Sequence, residues 1–231
     1  RVNWKQIGIQ AQGRTISKKF DLHINYRNSK EILELAARFA SPSADQDSEE
    51  TLGALAIDPV NCKRSLGIRP RLLEASSRHE ETQRIMRAVK DLLDGRWFDR
   101  DIEPLKAEEI AILYPYAAKR DRPIIDELEQ GIKDLVPAIW ITCPDAPQRR
   151  RIAEPAIKIQ TIHSAKGLQY KAIILMWADL LPKTFGETTD EEERKLMYVA
   201  LTRPEDYLLI TASGPSSFIS EVSESGKTEL G

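Results

Sequence analysis

The chain has few of the residues that build metal sites, disulfides or membrane spans. Its 231 residues include only two cysteines, Cys62 and Cys143, whose wide separation suggests neither a zinc site nor a disulfide framework. No apolar run approaches the roughly 18 residues of a membrane-spanning helix, and no signal peptide is visible. We therefore expect a cytoplasmic protein that does not contact a membrane.

A large net charge is also lacking, because 34 Lys and Arg residues nearly balance 36 Asp and Glu residues and leave a net charge of -2. Proteins that coat nucleic acid have a basic excess, so any nucleic-acid contact here is expected in a local groove. The basic run Gln148–Arg151 is typical of a solvated loop, although it could also follow a phosphate backbone. The 41% apolar fraction is enough for the core of one large domain or two small ones.

Apolar patterning predicts strands that alternate with helices. Strands are predicted at 20–25, 70–75, 109–114, 138–142, 157–163, 172–177 and 207–212. Helices are predicted after a capping box at Asn28 and Glu31, from Ser77 to Gly95, over 124–132, and from Thr189 to Arg203. This alternation indicates an α/β fold with a mostly parallel sheet covered on both faces. Segment 41–58 is expected to be a flexible insertion, and 214–231 a flexible tail after a domain formed by 1–213.

The stretch 157–170, with the sequence IKIQTIHSAKGLQY, has the most informative pattern. Alternation of apolar residues places Thr161 and His163 on one face at the C-terminal end of a strand. Open α/β sheets bind ligands at that end of their strands. A hydroxyl, an imidazole and a lysine–glycine turn suit an anionic ligand. Arg27 follows a predicted strand and precedes a helix cap, so we expect it at the same edge, with an ordinary surface arginine as the alternative.

Three short segments resemble motifs of superfamily 1 DNA helicases of the UvrD/Rep/PcrA type. The segment Thr161-Ile-His-Ser-Ala-Lys-Gly-Leu168 resembles motif V, Asn25-Tyr-Arg-Asn-Ser29 resembles motif IV, and Met197-Tyr-Val-Ala-Leu-Thr-Arg203 resembles motif VI. The resemblance implies a RecA-like three-layer sandwich with a mostly parallel central sheet, as the second of two motor domains. The sequence has no phosphate loop, which the family carries on its first domain together with the magnesium site. Because the chain begins with Arg1 in mid-pattern, we expect a fragment that is inactive alone.

The resemblance implies a nucleotide site with ATP and Mg²⁺ as cofactors, the magnesium being held by the N-terminal domain. Arg27 and Arg203 would contact the γ-phosphate as catalytic residues at the sheet's ligand edge, and Tyr26 would stack on adenine. Gly167 and Gln169 would belong to the same site. Guanidinium suits phosphate because its planar fork donates two hydrogen bonds and keeps its charge. The alternatives are a core tyrosine for Tyr26 and, for Arg203, a cation that complements a helix dipole.

The motif V resemblance implies contacts with single-stranded DNA. Thr161 and His163 would bind phosphate or pack on a base, and Ser164 and Lys166 are candidate additional donors. A purely structural histidine is the alternative for His163. The second partner implied is the N-terminal RecA-like domain of the same protein.

Two positions depart from the family's pattern. Gln169 stands where the family has a carboxylate that reaches the ribose hydroxyl. Pro204 directly follows Arg203, and a proline steers the residue before it away from helical backbone angles. The first hypothesis is the C-terminal motor domain of an ATP-dependent 3′ to 5′ DNA helicase. The alternative is a non-catalytic nucleotide- or DNA-sensing module of a degenerate homologue.

Overall fold

The computed structural model describes residues 27–40, 62, 64–144, 148–183, 186 and 188–231. The helices are α1 (Lys30–Ala36), α2 (Arg78–Leu93), α3 (Arg122–Lys133), α4 (Asp190–Leu201) and α5 (Ser217–Glu224). The strands are β1 (Arg71–Glu74), β2 (Arg96–Trp97), β3 (Arg100–Asp101), β4 (Ile110–Tyr114), β5 (Ala138–Trp140), β6 (Ile157–Thr161), β7 (Tyr170–Leu175), β8 (Pro204–Ala212) and β9 (Glu229–Leu230). The strand expected at 20–25 and the insertion expected at 41–58 lie outside the described residues.

Most strands join one central sheet. Within the described residues it has seven strands in the order β5-β6-β4-β7-β8-β1-β9, and each neighbouring pair is parallel. The short strands β2 and β3 form a separate antiparallel pair. Parallel neighbours require crossover connections, which here run over both faces of the sheet. The expected mostly parallel α/β sheet is confirmed.

Helices cover both faces of this sheet, which gives three layers. Helices α1, α4 and α5 pack on one face against residues such as Leu113 and Ile173, whereas α2 and α3 pack on the other against Ile112 and Ile174. Neighbouring residues of one strand therefore belong to opposite cores, as the two-residue period of a strand requires. Burial on both faces also explains why all of β4 is apolar and buried.

The helix starts follow local capping chemistry. Ser77 caps α2, and its hydroxyl accepts a hydrogen bond from the backbone N–H of Glu80 at 3.2 Å. Thr189 and Glu192 form a capping box at the start of α4. Both starts are where the sequence placed them. Gly95 follows α2 with a φ of 78°, an angle that favours glycine.

The predicted cap of α1 is wrong by one residue. Ser29 is the N-cap, and its hydroxyl accepts from the backbone N–H of Ile32 at 3.5 Å. Asn28 is left outside the helix, so its amide is available for other contacts. Glu31 does not close a capping box, because its carboxylate accepts a hydrogen bond from the backbone N–H of Gly67 at 2.9 Å. The buried apolar face of this helix consists of Ile32, Leu33, Leu35 and Ala36.

The flexible tail expected over 214–231 is wrong, because most of it is folded. Helix α5 buries Phe218, Ile219 and Val222 on the face covered by α1 and α4. Strand β9 pairs with β1 at the edge of the sheet. The many Ser, Gly and Glu residues conceal a short apolar stripe at helical spacing. None of the described helices combines the length and apolar character needed to cross a membrane.

Candidate functional site

The candidate residues divide between two opposite edges of the sheet. Thr161 ends β6 and so lies at the C-terminal edge, where all the parallel strands end. Arg203 directly precedes β8, and Gln169 directly precedes β7, so both lie at the N-terminal edge. Arg27 lies beside the start of β8, because its carbonyl oxygen and that of Glu205 both accept from Arg64 Nη1, at 3.2 and 3.4 Å. The expectation that both arginines share the C-terminal ligand edge with Thr161 is therefore wrong.

The segment 162–169 joins the two edges. It leaves β6, crosses over β4 on the face covered by α1 and α4, and enters β7, since β4 lies between these two strands. Ile162 and Ala165 anchor it in the core of that face. The motif V segment therefore spans the domain from one edge to the other.

At the C-terminal edge, a hydroxyl ends the strand and starts a turn. Thr161 Oγ1 accepts from the backbone N–H of Ser164 at 3.3 Å and lies 3.2 Å from Ser164 Oγ. The strand predicted over 157–163 ends at Thr161, and His163 begins a 3₁₀ turn. The predicted strand alternation therefore does not reach His163. Its side chain is nevertheless exposed, and Thr161 and Ser164 are half-buried. The edge thus offers an imidazole and two hydroxyl groups close to solvent.

Lys166 and Gly167 are exposed on the crossing segment. Gly167 has a φ of +84°, and no atom lies within 4 Å of where a Cβ would stand. A backbone angle that other residues resist is therefore the reason for glycine here, as expected, and crowding is not.

At the N-terminal edge, Arg203 is only 8% exposed and is held by neutral oxygen atoms. Its Nε donates to the Val199 carbonyl at 3.0 Å, Nη1 to the Leu168 carbonyl at 3.4 Å and Nη2 to Thr202 Oγ1 at 3.4 Å. Among the described residues, no carboxylate forms a salt bridge with it. Burial lowers the pKa of Arg203, and the positive charge of Arg27 lowers it further. The positive charge of Arg27 thus acts on Arg203, which has no acidic partner in the described part of the chain.

Sequence reasoning missed a contact that ties Arg27 to Arg203. The Nδ2 atom of Asn28 donates to the carbonyl oxygens of Thr202 at 3.0 Å and Pro204 at 2.6 Å, the residues on either side of Arg203. A preference for Asn at helix caps hid this role, because Ser29 satisfies the same preference one residue later. Only the pairing of segments far apart in the sequence brings these groups together.

Gln169 and Pro204 are the two departures from the family's pattern. The Nε2 atom of Gln169 is buried without a hydrogen-bond partner in the described part of the chain. Pro204 is the first residue of β8, a position where a strand tolerates proline. A buried amide nitrogen without a partner among the described residues, at the same edge of the sheet as Arg203, is a candidate donor for an oxygen-rich ligand such as a nucleotide.

Some expected ligand contacts have no described counterpart. Tyr26, expected to stack on adenine, lies outside the described residues. Across the ranges that the structure describes, no group of three or more His, Cys, Asp or Glu side chains is placed to hold a metal ion.

A buried polar network that the sequence did not reveal lies beneath the C-terminal edge. Glu81 of α2, which is fully buried, accepts from the backbone N–H of Trp177 at 2.9 Å and from Thr211 Oγ1 at 2.6 Å. Arg78 bridges Glu81 and Asp179, with Arg78 Nη2 only 2.6 Å from Asp179 Oδ2. The network joins α2 to the ends of β7 and β8, so its role is to fix this edge.

The fold is an α/β domain in which helices cover both faces of a parallel sheet. Residues 124–214 match the family model described as the UvrD-like helicase C-terminal domain, so this part of the chain is similar to that family. The matched range contains the motif V and motif VI segments and excludes the motif IV segment.

Curated relatives agree with this family over limited ranges. The chain is 34% identical over 91 residues to the ATP-dependent DNA helicase PcrA of Staphylococcus aureus (strain MRSA252). It is 30% identical over 110 residues to the putative ATP-dependent DNA helicase YjcD of Bacillus subtilis (strain 168). These matches cover 31% and 37% of this chain, and 12% and 14% of the relatives. The chain therefore spans only a small part of the length of the curated relatives it matches.

A solved structure has a similar fold. The C-terminal domain of a possible DNA helicase from Lactobacillus plantarum WCFS1 superposes with a TM-score of 0.55. The match covers 89% of this chain and 98% of that one at 15% sequence identity. At this low identity the likeness supports the fold alone.

Proposed function

We propose that this chain is the C-terminal motor domain of an ATP-dependent DNA helicase that moves 3′ to 5′ and works with an N-terminal RecA-like domain. The observation that carries the proposal is the separation of two sets of side chains on one rigid sheet. Arg27 and Arg203 lie at the N-terminal edge, whereas Thr161 and His163 lie at the C-terminal edge. This separation supports a domain with one surface for a nucleotide and another for single-stranded DNA.

At the N-terminal edge, the two guanidinium groups would meet the γ-phosphate of an ATP molecule held, with Mg²⁺, by the N-terminal domain. ATP supplies the phosphoryl group whose transfer to water drives the motor. A guanidinium group has five N–H donors, and three of those on Arg203 bond to protein oxygens, which leaves two for phosphate. A cation already held in place stabilises the charge that develops in phosphoryl transfer. Gln169 would face the ribose with its amide.

At the C-terminal edge, Thr161, His163 and Ser164 would contact the DNA strand. Hydroxyl groups bond phosphate oxygens, and an exposed imidazole packs on a base or bonds phosphate. Lys166 adds a positive charge on the exposed crossing segment. Because both edges belong to one packed domain, closure of the nucleotide cleft moves the DNA-binding edge as a rigid body. Alternate closing and opening would then shift the grip on DNA in steps.

Unwinding by the full-length protein tests this proposal. We expect ATP hydrolysis that single-stranded DNA stimulates, and strand separation of a duplex with a 3′ single-stranded tail but not of one with a 5′ tail. Unwinding from the 5′ tail would refute the direction of movement. Absence of DNA-stimulated hydrolysis in a folded full-length protein would refute the motor itself.

A non-catalytic nucleotide- or DNA-sensing module is the second candidate function. It is favoured by one observation, namely that Gln169 replaces the family's carboxylate and leaves a buried amide without a partner in the described residues. Such a module would bind ATP and change its DNA affinity without turnover. Measurement of DNA affinity with and without ATP, alongside ATP hydrolysis by the same preparation, separates the two functions.

A further inference from the structure

The side chain of Asn28 connects the two arginines of the N-terminal edge. It is 1% exposed, and Nδ2 donates to the carbonyl oxygens of Thr202 at 3.0 Å and Pro204 at 2.6 Å, which flank Arg203. Arg27 is its neighbour in sequence. We propose that Asn28 is a positioning residue that holds the guanidinium groups of Arg27 and Arg203 together as one receptor for the γ-phosphate. This inference rests on the proposed function.

The chemistry of these contacts requires asparagine. A primary amide nitrogen carries two N–H donors on a short side chain, and each carbonyl oxygen takes one of them. Aspartate has the same shape but has only acceptors when ionised, so it would face two carbonyl oxygens with no hydrogen to share. A buried carboxylate without donors is strongly unfavourable. Serine could satisfy one carbonyl but not both.

The contacts complete the anchoring of the backbone around Arg203. The backbone N–H of Arg203 donates to the Ala200 carbonyl at 3.3 Å, and its carbonyl accepts from the backbone N–H of Tyr170 at 3.3 Å. Pro204 has no N–H, so that its carbonyl is the only backbone hydrogen-bonding group it contributes. Without the Asn28 amide, the turn at 202–204 would keep its bonds to α4 and β7 but lose the two hydrogen bonds that Asn28 donates to it.

Other contacts keep this segment in place, so that loss of the Asn28 amide is not expected to unfold the domain. The backbone N–H of Ser29 donates to the Glu205 carbonyl at 2.9 Å. Arg64 Nη1 donates to the carbonyls of Arg27 and Glu205, and Arg64 also forms a salt bridge with Asp206. Asn28 is distinguished from these contacts because it binds both residues that flank Arg203.

Holding two cations together is unfavourable until an anion arrives. The positive charge of Arg27 contributes, after burial, to the lowered pKa of Arg203. A γ-phosphate between the two groups would remove this repulsion. ADP lacks that phosphate, so an effect of Asn28 on the arginine pair should appear with ATP and not with ADP.

The test compares the affinities of the full-length protein for a non-hydrolysable ATP analogue and for ADP. We expect Asn28→Asp to weaken binding of the analogue and to lower kcat, each by about tenfold, the scale of a small displacement of a catalytic group. Affinity for ADP should stay unchanged. Asn28→Ser, which keeps one donor, should fall between the wild type and Asn28→Asp, and it decides the question if the aspartate variant does not fold. Val89→Ala, a cavity in the opposite core, is the matched control for lost stability.

The outcomes separate this inference from the proposed function. If Arg27→Ala and Arg203→Ala weaken binding of the analogue relative to ADP but the folded Asn28 variants do not, Asn28 does not position the arginines and the proposed function stands. A positioning role for Asn28 is likewise refuted if Val89→Ala reproduces the effect of the Asn28 variants. If the arginine variants leave the preference for the analogue unchanged, the arginines do not bind the γ-phosphate, and the proposed function fails together with this inference.

Discussion

The carboxylate of Glu81 accepts a hydrogen bond from the backbone N–H of Trp177 at 2.9 Å, which joins the first turn of α2 to the end of β7. Trp177 has a φ of 59°, a left-handed angle that is costly for a bulky residue. The same carboxylate accepts from Thr211 Oγ1 at 2.6 Å, so a single buried side chain supports a strained turn and a neighbouring strand.

Replacement of Glu81 by alanine should therefore destabilise the chain strongly. Three donors, from Trp177, Thr211 and Arg78, would lose their acceptor in a buried setting, and we expect a loss of about 3 kcal/mol in the free energy of unfolding. Urea unfolding followed by circular dichroism measures this. Glu80→Ala in the exposed first turn is the adjacent control and should cost clearly less, because solvent screens its contacts. A loss at position 81 no larger than at position 80 would contradict the network's importance.

Substitution of the arginines at the N-terminal edge should reduce the rate of ATP hydrolysis more than it weakens ATP binding. In the full-length protein, Arg27→Ala and Arg203→Ala should each lower kcat for ATP hydrolysis by about 10²-fold or more, with a smaller loss of ATP affinity. Arg203→Lys should remain impaired, because an ammonium group cannot reproduce the planar fork. Steady-state kinetics with and without DNA provide the measurement. Wild-type turnover in either alanine variant would make that arginine structural.

Substitutions at the C-terminal edge should weaken DNA binding without changing the rate of ATP hydrolysis in the absence of DNA. The double variant Thr161→Ala with His163→Ala should weaken binding of single-stranded DNA by about tenfold, since it removes a hydroxyl donor and an exposed ring. ATP hydrolysis without DNA should stay nearly unchanged, because the proposed nucleotide site lies at the opposite edge. Fluorescence anisotropy with a labelled oligonucleotide tests this, with the exposed Lys90→Ala as the control. Equal DNA affinity for the wild type and the double variant would remove these residues from the DNA site.

Gln169 provides a direct test of ribose recognition. Gln169→Glu should keep or slightly improve ATP affinity in the full-length protein, by ~1 kcal/mol at most, because a carboxylate is the stronger acceptor for a hydroxyl group. Repulsion from the nearby phosphates limits the gain. Titration with ATP and with 2′-deoxy-ATP compares the two side chains. If neither the substitution nor loss of the sugar hydroxyl changes affinity, Gln169 does not contact the sugar.

The 231-residue chain by itself should not hydrolyse ATP. It contains no phosphate loop, and its described residues contain no cluster of acidic side chains for a magnesium ion. A steady-state assay with single-stranded DNA measures this, with the full-length protein as the positive control. Turnover that persists through repeated purification, and that Arg203→Ala abolishes, would show that the chain is a complete ATPase.

Local patterns in the sequence were sufficient to predict most of the fold. Alternating apolar residues mark β4 and β7, and the caps at Ser77 and Thr189 begin α2 and α4, because such signals act between residues only a few positions apart. The motif V and motif VI segments likewise pointed to the family whose model matches residues 124–214. The apolar stripe of α5 was missed because its flanks have the composition of a disordered tail.

Only the tertiary structure decided where the candidate residues lie relative to one another. Strand order places β4 between β6 and β7, which carries the motif V segment across the domain and separates Thr161 from Gln169. The Asn28 amide reaches Thr202 across 174 residues of sequence, and Glu81 reaches Thr211 across 130. Local periodicity cannot encode such pairings, because they depend on which strands neighbour each other and on which face each connection crosses.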